Sequence, residues 1–242
     1  MMSIATAARR GGNAVLIATA ALGLTASVGI GTVHAGPPTP DPPSGAGTLY
    51  GDPAAAAPFW RYQQYDDDCV EMSVADVVGE LTGNSPSERE VVRLAQSTPS
   101  SVHAGPIYTK PRKHKNGEGT SFEDEPTLLA HYKIRAVSTD LESAAKTGVP
   151  TGIAALEQDL AHGRKVIAAV NAEIIWGQPV EDKTSDGEPE SNHAVVVTGV
   201  DTAGGIVHLN DPGSEDGRDE QISIDVFVRS WESSDDQMTV TG

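Results

Sequence analysis

This chain of 242 residues has one cysteine, Cys69, so no intramolecular disulfide can staple it and no zinc site can rest on paired cysteines. The histidines His103, His114, His131, His162 and His208 show no pair at metal-ligand spacing, and neither a metal nor another cofactor is expected. Basic residues are scarce: 17 Lys and Arg stand against 34 Asp and Glu, a net charge of −17. Such acidity disfavours nucleic acid and anionic lipid as partners, because both need clustered cations. Beyond Val33 no apolar run is long enough to cross a bilayer, and no internal repeat is evident.

What is present at the N-terminus reads as an export signal. Arg9 and Arg10, with no acid near them, precede an apolar run from Ala14 to Val33. Val33-His34-Ala35 then supplies small residues at both positions a signal peptidase reads, so residues 1–35 form a leader cleaved after Ala35. An uncleaved anchor is the competing reading, and the run's Ala, Gly and Thr content makes it a weak span. Large apolar residues do not follow the Arg pair, which therefore reads as an ordinary basic region. Cleavage would remove two arginines and no acid, taking the charge from −17 to −19. The mature chain is expected to be secreted or held in the cell envelope, with no membrane contact after removal of the leader.

Residues 36–58 are rich in Pro, Gly and Ala and read as a flexible linker with little apolar bulk to offset ordering entropy. Residues 59–242 suffice for one domain with its own core. In it, Val70, Val74, Val77, Val78 and Leu81 recur at helical spacing, with Asp68 as N-cap and Thr82-Gly83-Asn84 as a stop. A second helix is expected from Ser85-Pro86-Ser87-Glu88, with Ser85 as its cap, and further helices over 121–132 and 153–162. Between them lies a polar stretch, 97–119, carrying Lys110 and Arg112 to Lys115. It reads as a solvated loop, with a substrate-contacting loop as the alternative. After Gly163 the pattern turns β-branched: 166–170, 194–200, 206–209 and 222–224 read as strands. Helices first and strands afterwards give an α+β domain with an antiparallel sheet.

Cys69 falls in the first turn of its helix, ahead of the apolar pattern. A lone thiol in an exported protein is a liability unless its chemistry is used, and this makes Cys69 the candidate nucleophile. A thiol nucleophile needs a base, and the base needs a group that fixes its tautomer. His193 opens one strand and Asn210-Asp211-Pro212-Gly213 closes the next. If these strands form a hairpin through Asp201 to Gly205, His193 lies near Asp211. Gln63, one loop before the cysteine, is the candidate oxyanion donor beside the backbone N–H of Cys69, with Gln64 as the alternative. A helix N-terminus and an imidazolium each favour a thiolate, whereas Asp66, Asp67, Asp68 and Glu71 oppose it unless they face solvent. Trp176 and Trp231 are candidates for either a groove or the core.

The order Gln-x₅-Cys at a helix start, His at a strand start and Asn-Asp-Pro at the next strand's end resembles the papain-like cysteine peptidases that remove double-glycine leaders from bacteriocins. The similarity spans about Gln63 to Asp216, and is nearer to secreted stand-alone relatives in actinobacteria than to transporter-fused domains. It implies a papain-like fold, peptide or protein substrates, and roles for Cys69 as nucleophile, His193 as base, Asp211 as orienting acid and Gln63 as oxyanion donor. In those peptidases Gly and a small residue usually follow the cysteine, and here Val70-Glu71 stands instead. No transporter or nucleotide-binding segment accompanies the motifs, so leader removal coupled to export is not implied. Two other readings stay open: a cell-wall peptide amidase or transamidase using the same thiol chemistry, and a secreted binding module that has lost catalysis.

Overall fold

A computed structural model describes residues 47–111 and 119–242; the leader, residues 36–46 of the linker and Arg112 to Lys115 lie outside the described residues. In chain order the elements are β1 (Leu49–Gly51), α1 (Pro53–Ala56), α2 (Cys69–Thr82), α3 (Glu88–Ser97), α4 (Glu125–His131), β2 (Ala136–Thr139), α5 (Ala144–Thr147) and α6 (Ile153–Ala161). There follow β3 (Val166–Val170), α7 (Ala172–Ile175), β4 (His193–Asp201), β5 (Ile206–Asn210), β6 (Arg218–Ser223), α8 (Ile224–Trp231) and β7 (Met238–Thr241). Among the described residues, no helix is long and apolar enough to cross a membrane.

The strands form one antiparallel sheet in the order β2-β7-β3-β4-β5-β6. The last three residues of β4 also pair with β1, on the edge that β3 occupies further back. Helices cover both faces. Ile167, Ala194 and Val196 pack with α2, α3 and α4 on one face, and Val166, Ala168, Val195 and Val197 pack with α6, α7 and α8 on the other. A strand buried on both faces gains nothing from polar alternation, which is why β3 and β4 read as unbroken apolar runs. This is the mixed helix and antiparallel-sheet architecture of a papain-like fold.

Helix α2 runs through the middle of the first core. Every residue from Cys69 to Gly79 is buried, and the helix ends where Gly83 takes φ 74° and its N–H returns to the Gly79 carbonyl at 2.8 Å. Asp68 occupies the N-cap position but makes no side-chain cap bond. The start of α3 also differs from expectation. Its cap is Ser87, whose N–H and hydroxyl both reach the Glu90 carboxylate, at 2.8 and 2.6 Å. Pro86 biases Ser85 away from helical torsions, and the true Ser-x-x-Glu spacing is Ser87 to Glu90.

Two further expectations are corrected, and two strands are added. The C-terminal part of the linker, from Leu49 on, is structured: β1 pairs with β4, and α1 is capped by Asp52 and buries Ala56. Ile224 belongs to a helix, because the Ser223 hydroxyl accepts from the Val226 N–H at 3.2 Å and caps α8. Strands β2 and β7 were not expected; each is four residues long, and they pair with each other.

Candidate active site

The site forms where α2 meets the mouth of the β4–β5 hairpin. Cys69 is the first residue of α2, so its backbone N–H has no partner within the helix and the positive end of the helix dipole lies on the thiol. His193 is the first residue of β4. The ladder pairs Val196 with Asn210, which sets Asp211 just past the end of β5 and within reach of the imidazole. His193 Nε2 lies 2.6 Å from Asp211 Oδ1, with both side chains almost fully buried. Since Nε2 faces the carboxylate, Nδ1 is the ring nitrogen left for the thiol.

Burial disfavours a charged His193, but the Asp211 carboxylate and its hydrogen bond outweigh it, with the nearby Cys69 a smaller contribution in the same direction. The imidazole is held protonated up to about 10. Asp211 is likewise opposed by burial, yet the charge and hydrogen bond of His193, with Trp176 and Gly213 as further donors, keep it below the usual carboxylate range. The pair is therefore a buried imidazolium and carboxylate.

Gln63 lies in the same wall. Its backbone N–H donates to the Pro212 carbonyl at 2.9 Å, tying the loop before α2 to the Asp211 turn. One Nε2 hydrogen goes to the Tyr65 carbonyl at 2.7 Å, which leaves the second available. Gln64 is exposed, and its N–H is taken by Glu88 Oε1 at 2.8 Å. Gln63, Cys69 and His193 line one cleft of about 980 Å³.

The aspartates before Cys69 divide. Asp66 is exposed, Asp67 accepts from Tyr108 Oη at 2.8 Å, and Asp68 is fully buried. Burial, then the neighbouring Glu88, Glu71 and Asp67 carboxyls, push Asp68 up to about 9. Burial pushes Glu71 up to about 7, against a hydrogen bond from Thr120 Oγ1 at 2.6 Å. Near neutral pH the collar thus opposes a thiolate less than a count of its acids implies. Val70 and Glu71 are both buried and neither lines the cleft, so this departure from the usual motif is absorbed by the interior.

Two contributors were not legible as such. Trp176 donates Nε1 to Asp211 Oδ2 at 2.8 Å, and its ring centroid lies 5.4 Å from that of His193. Trp60 donates Nε1 to the Asp211 carbonyl at 2.6 Å. Trp231, by contrast, is core. Gly213 donates its N–H to Asp211 Oδ1 at 2.7 Å, and a Cβ there would stand 2.8 Å from His193 Cε1 and 2.9 Å from Trp176 Cζ2. Gly213→Ala is accordingly expected to push the imidazole aside and lower turnover by about 100-fold, the scale of a 1 Å misplacement. Thermal melting and turnover measured on one preparation check this; a variant with unchanged turnover contradicts it.

The peptidase C39-like family model matches residues 52–239. An uncharacterized protein of Mycobacterium tuberculosis is 58% identical over 228 residues, covering 93% of this chain and 97% of the relative, and an uncharacterized protein of Mycobacterium bovis matches to the same extent. A crystal structure from Bacillus anthracis, described as that of a C39-like peptidase, superposes with a TM-score of 0.55 at 18% identity, over 81% of this chain and 98% of that one. That likeness is one of fold.

Proposed function

Since this chain belongs to the peptidase C39-like family, we propose that it is an exported cysteine peptidase working through Cys69, His193 and Asp211. The observation that carries the reading is the buried 2.6 Å contact between His193 Nε2 and Asp211 Oδ1, in the wall of the cleft that holds Cys69 at a helix N-terminus. The Cys69 sulfur attacks the substrate carbonyl carbon, and charge develops on the carbonyl oxygen. The Cys69 N–H and the spare Gln63 Nε2 hydrogen stabilise that oxyanion. His193 gives its proton to the departing amine, leaving an acyl-enzyme. Water, deprotonated by His193, then hydrolyses the thioester and frees the thiol. Asp211 holds the ring and its charge throughout. The basic start and apolar run before Ala35 support export, and a peptide or protein outside the cytoplasm is the substrate this implies.

The reading is tested by incubating the mature protein with an unfolded protein and with purified cell wall side by side, each against Cys69→Ala. Cys69-dependent new amino termini from the unfolded protein are expected. Release from cell wall alone would transfer the same chemistry to peptide cross-links, and no Cys69-dependent product from either would contradict the enzyme.

A further inference from the structure

Beside the cleft lies a second cavity, of about 610 Å³, whose walls carry Arg61, Arg89, Arg93 and Lys110. The four cations come from three separate segments: the loop before α2, helix α3 and the loop after it. Arg89 and Arg93 sit four residues apart on one helical face, a spacing at which like charges repel. The chain has half as many basic as acidic residues, so four converging cations depart sharply from its surface as a whole. Among the described residues, none of the four has a carboxylate within ion-pairing distance. Glu88, the carboxylate on this wall, is turned to the Gln64 N–H, and nearby Glu90 is committed to Ser87. Lys110 Nζ is steered by Tyr65, 4.0 Å above its ring and 2.7 Å from its hydroxyl.

Tyr62, Gln64 and Tyr65 line both this cavity and the catalytic cleft, so the two adjoin across one loop. Their signs are opposite. The cleft wall carries Asp66, Asp67, Glu173, Asp182 and Glu190 and neither Lys nor Arg.

We propose that the Arg61, Arg89, Arg93 and Lys110 cavity is an anionic subsite of the peptidase, which receives a carboxylate of the peptide substrate, side-chain or C-terminal, a few residues from the scissile bond. Guanidinium groups match a carboxylate with paired N–H donors, and the tyrosines supply a face along which the peptide leaves the cleft. This rests on the peptidase reading. It also gives a role to Lys110, the described cation of the basic stretch.

The test uses the mature full chain, its Arg89→Gln/Arg93→Gln double variant, and fluorogenic peptides of mixed sequence. Glu, Gln or Lys is fixed in turn at each position, and every peptide is made with a free and with an amidated C-terminus. Glu at one position is expected to raise kcat/KM about tenfold over Gln, and the double variant should erase that preference. Preference kept in amidated peptides assigns the subsite to a side chain, whereas preference confined to free acids assigns it to the terminal carboxylate. Equal cleavage of Glu, Gln and Lys peptides, or a preference that survives in the double variant, overturns the proposal. If no peptide is cleaved, the subsite is judged by fluorescence anisotropy of the same peptides on Cys69→Ala protein, while the peptidase reading is decided by the unfolded-protein digest. Weaker binding of Glu peptides once both arginines are replaced supports it, and equal affinity overturns it.

Discussion

Replacing His193 with alanine is expected to lower kcat/KM for peptide hydrolysis by about 10⁴-fold or more, the scale seen when the base of a nucleophile–base pair is removed. In the proposed mechanism the ring does two jobs from one position: Nδ1 serves the thiol while Nε2 is anchored 2.6 Å from Asp211. Alanine removes both and leaves Asp211 buried without its cation. Buried pairs broken on one side are destabilising by about 3–5 kcal/mol, and Asp211 relieves part of this by taking up a proton. A folded but inactive protein is therefore the expected state, checked by circular dichroism and melting on the preparation used for kinetics. Double replacement of Cys69 and His193 should cost little more than either alone, because the two act as a unit. A His193→Ala enzyme within tenfold of the parent would remove the imidazole from the reaction.

The second large effect is on stability against pH. Burial raises Asp68 to about 9, Glu71 to about 7, Glu125 to about 8 and Glu220 to about 7, the last aided by the nearby Asp211 carboxylate. Several of their oxygens, both of Asp68 and one each of Glu71, Glu125 and Glu220, are buried without a hydrogen-bond partner, as suits carboxyls that keep their protons. Unfolded, these groups titrate near 4. Between that value and about 7–9 the native state binds more protons than the unfolded state, so stability falls as pH rises. The His193–Asp211 pair adds the same sign at the alkaline end. With His193 raised to about 10, its contribution is complete below about 6.5 and is lost as pH rises through 10. Melting temperature is expected to drop by about 10 °C from pH 6 to pH 9, corresponding to a few kcal/mol for a domain of this size. Glu125→Gln, a neutral isostere at a fully buried site, should flatten the alkaline slope. A melting temperature level or rising between pH 6 and pH 9 would contradict the buried-acid account.

How much of this was legible in the sequence depended on the range of the interactions involved. Helix α2, strands β3 to β5 and the helix over 153–161 declared themselves through local periodicity and a glycine stop. The nearness of His193 and Asp211 followed from a short turn and the geometry of a hairpin. Features set by distant partners did not declare themselves. β1 has three residues in a Pro- and Ala-rich stretch and exists because β4 offers it an unpaired edge. The triplet Ile222-Ser223-Ile224 looks like strand alternation, yet it holds a strand's end, a helix cap and a helix's first residue. Trp176 is one of three tryptophans, and only the folded chain sets its indole N–H on the Asp211 carboxylate. The divided fates of Asp66, Asp67 and Asp68 were equally invisible, since three adjacent identical residues carry no signal of which one turns inward.

The most direct test of the central claim is the rate of Cys69 alkylation by iodoacetamide against pH, in the folded mature protein and in His193→Ala. An imidazolium that persists to about 10 beside the thiol predicts rapid alkylation well below neutral pH, lost in the variant. Alkylation that rises only near the free-thiol value of about 8.5, and equally in both proteins, would contradict a thiolate–imidazolium pair and with it the proposed chemistry.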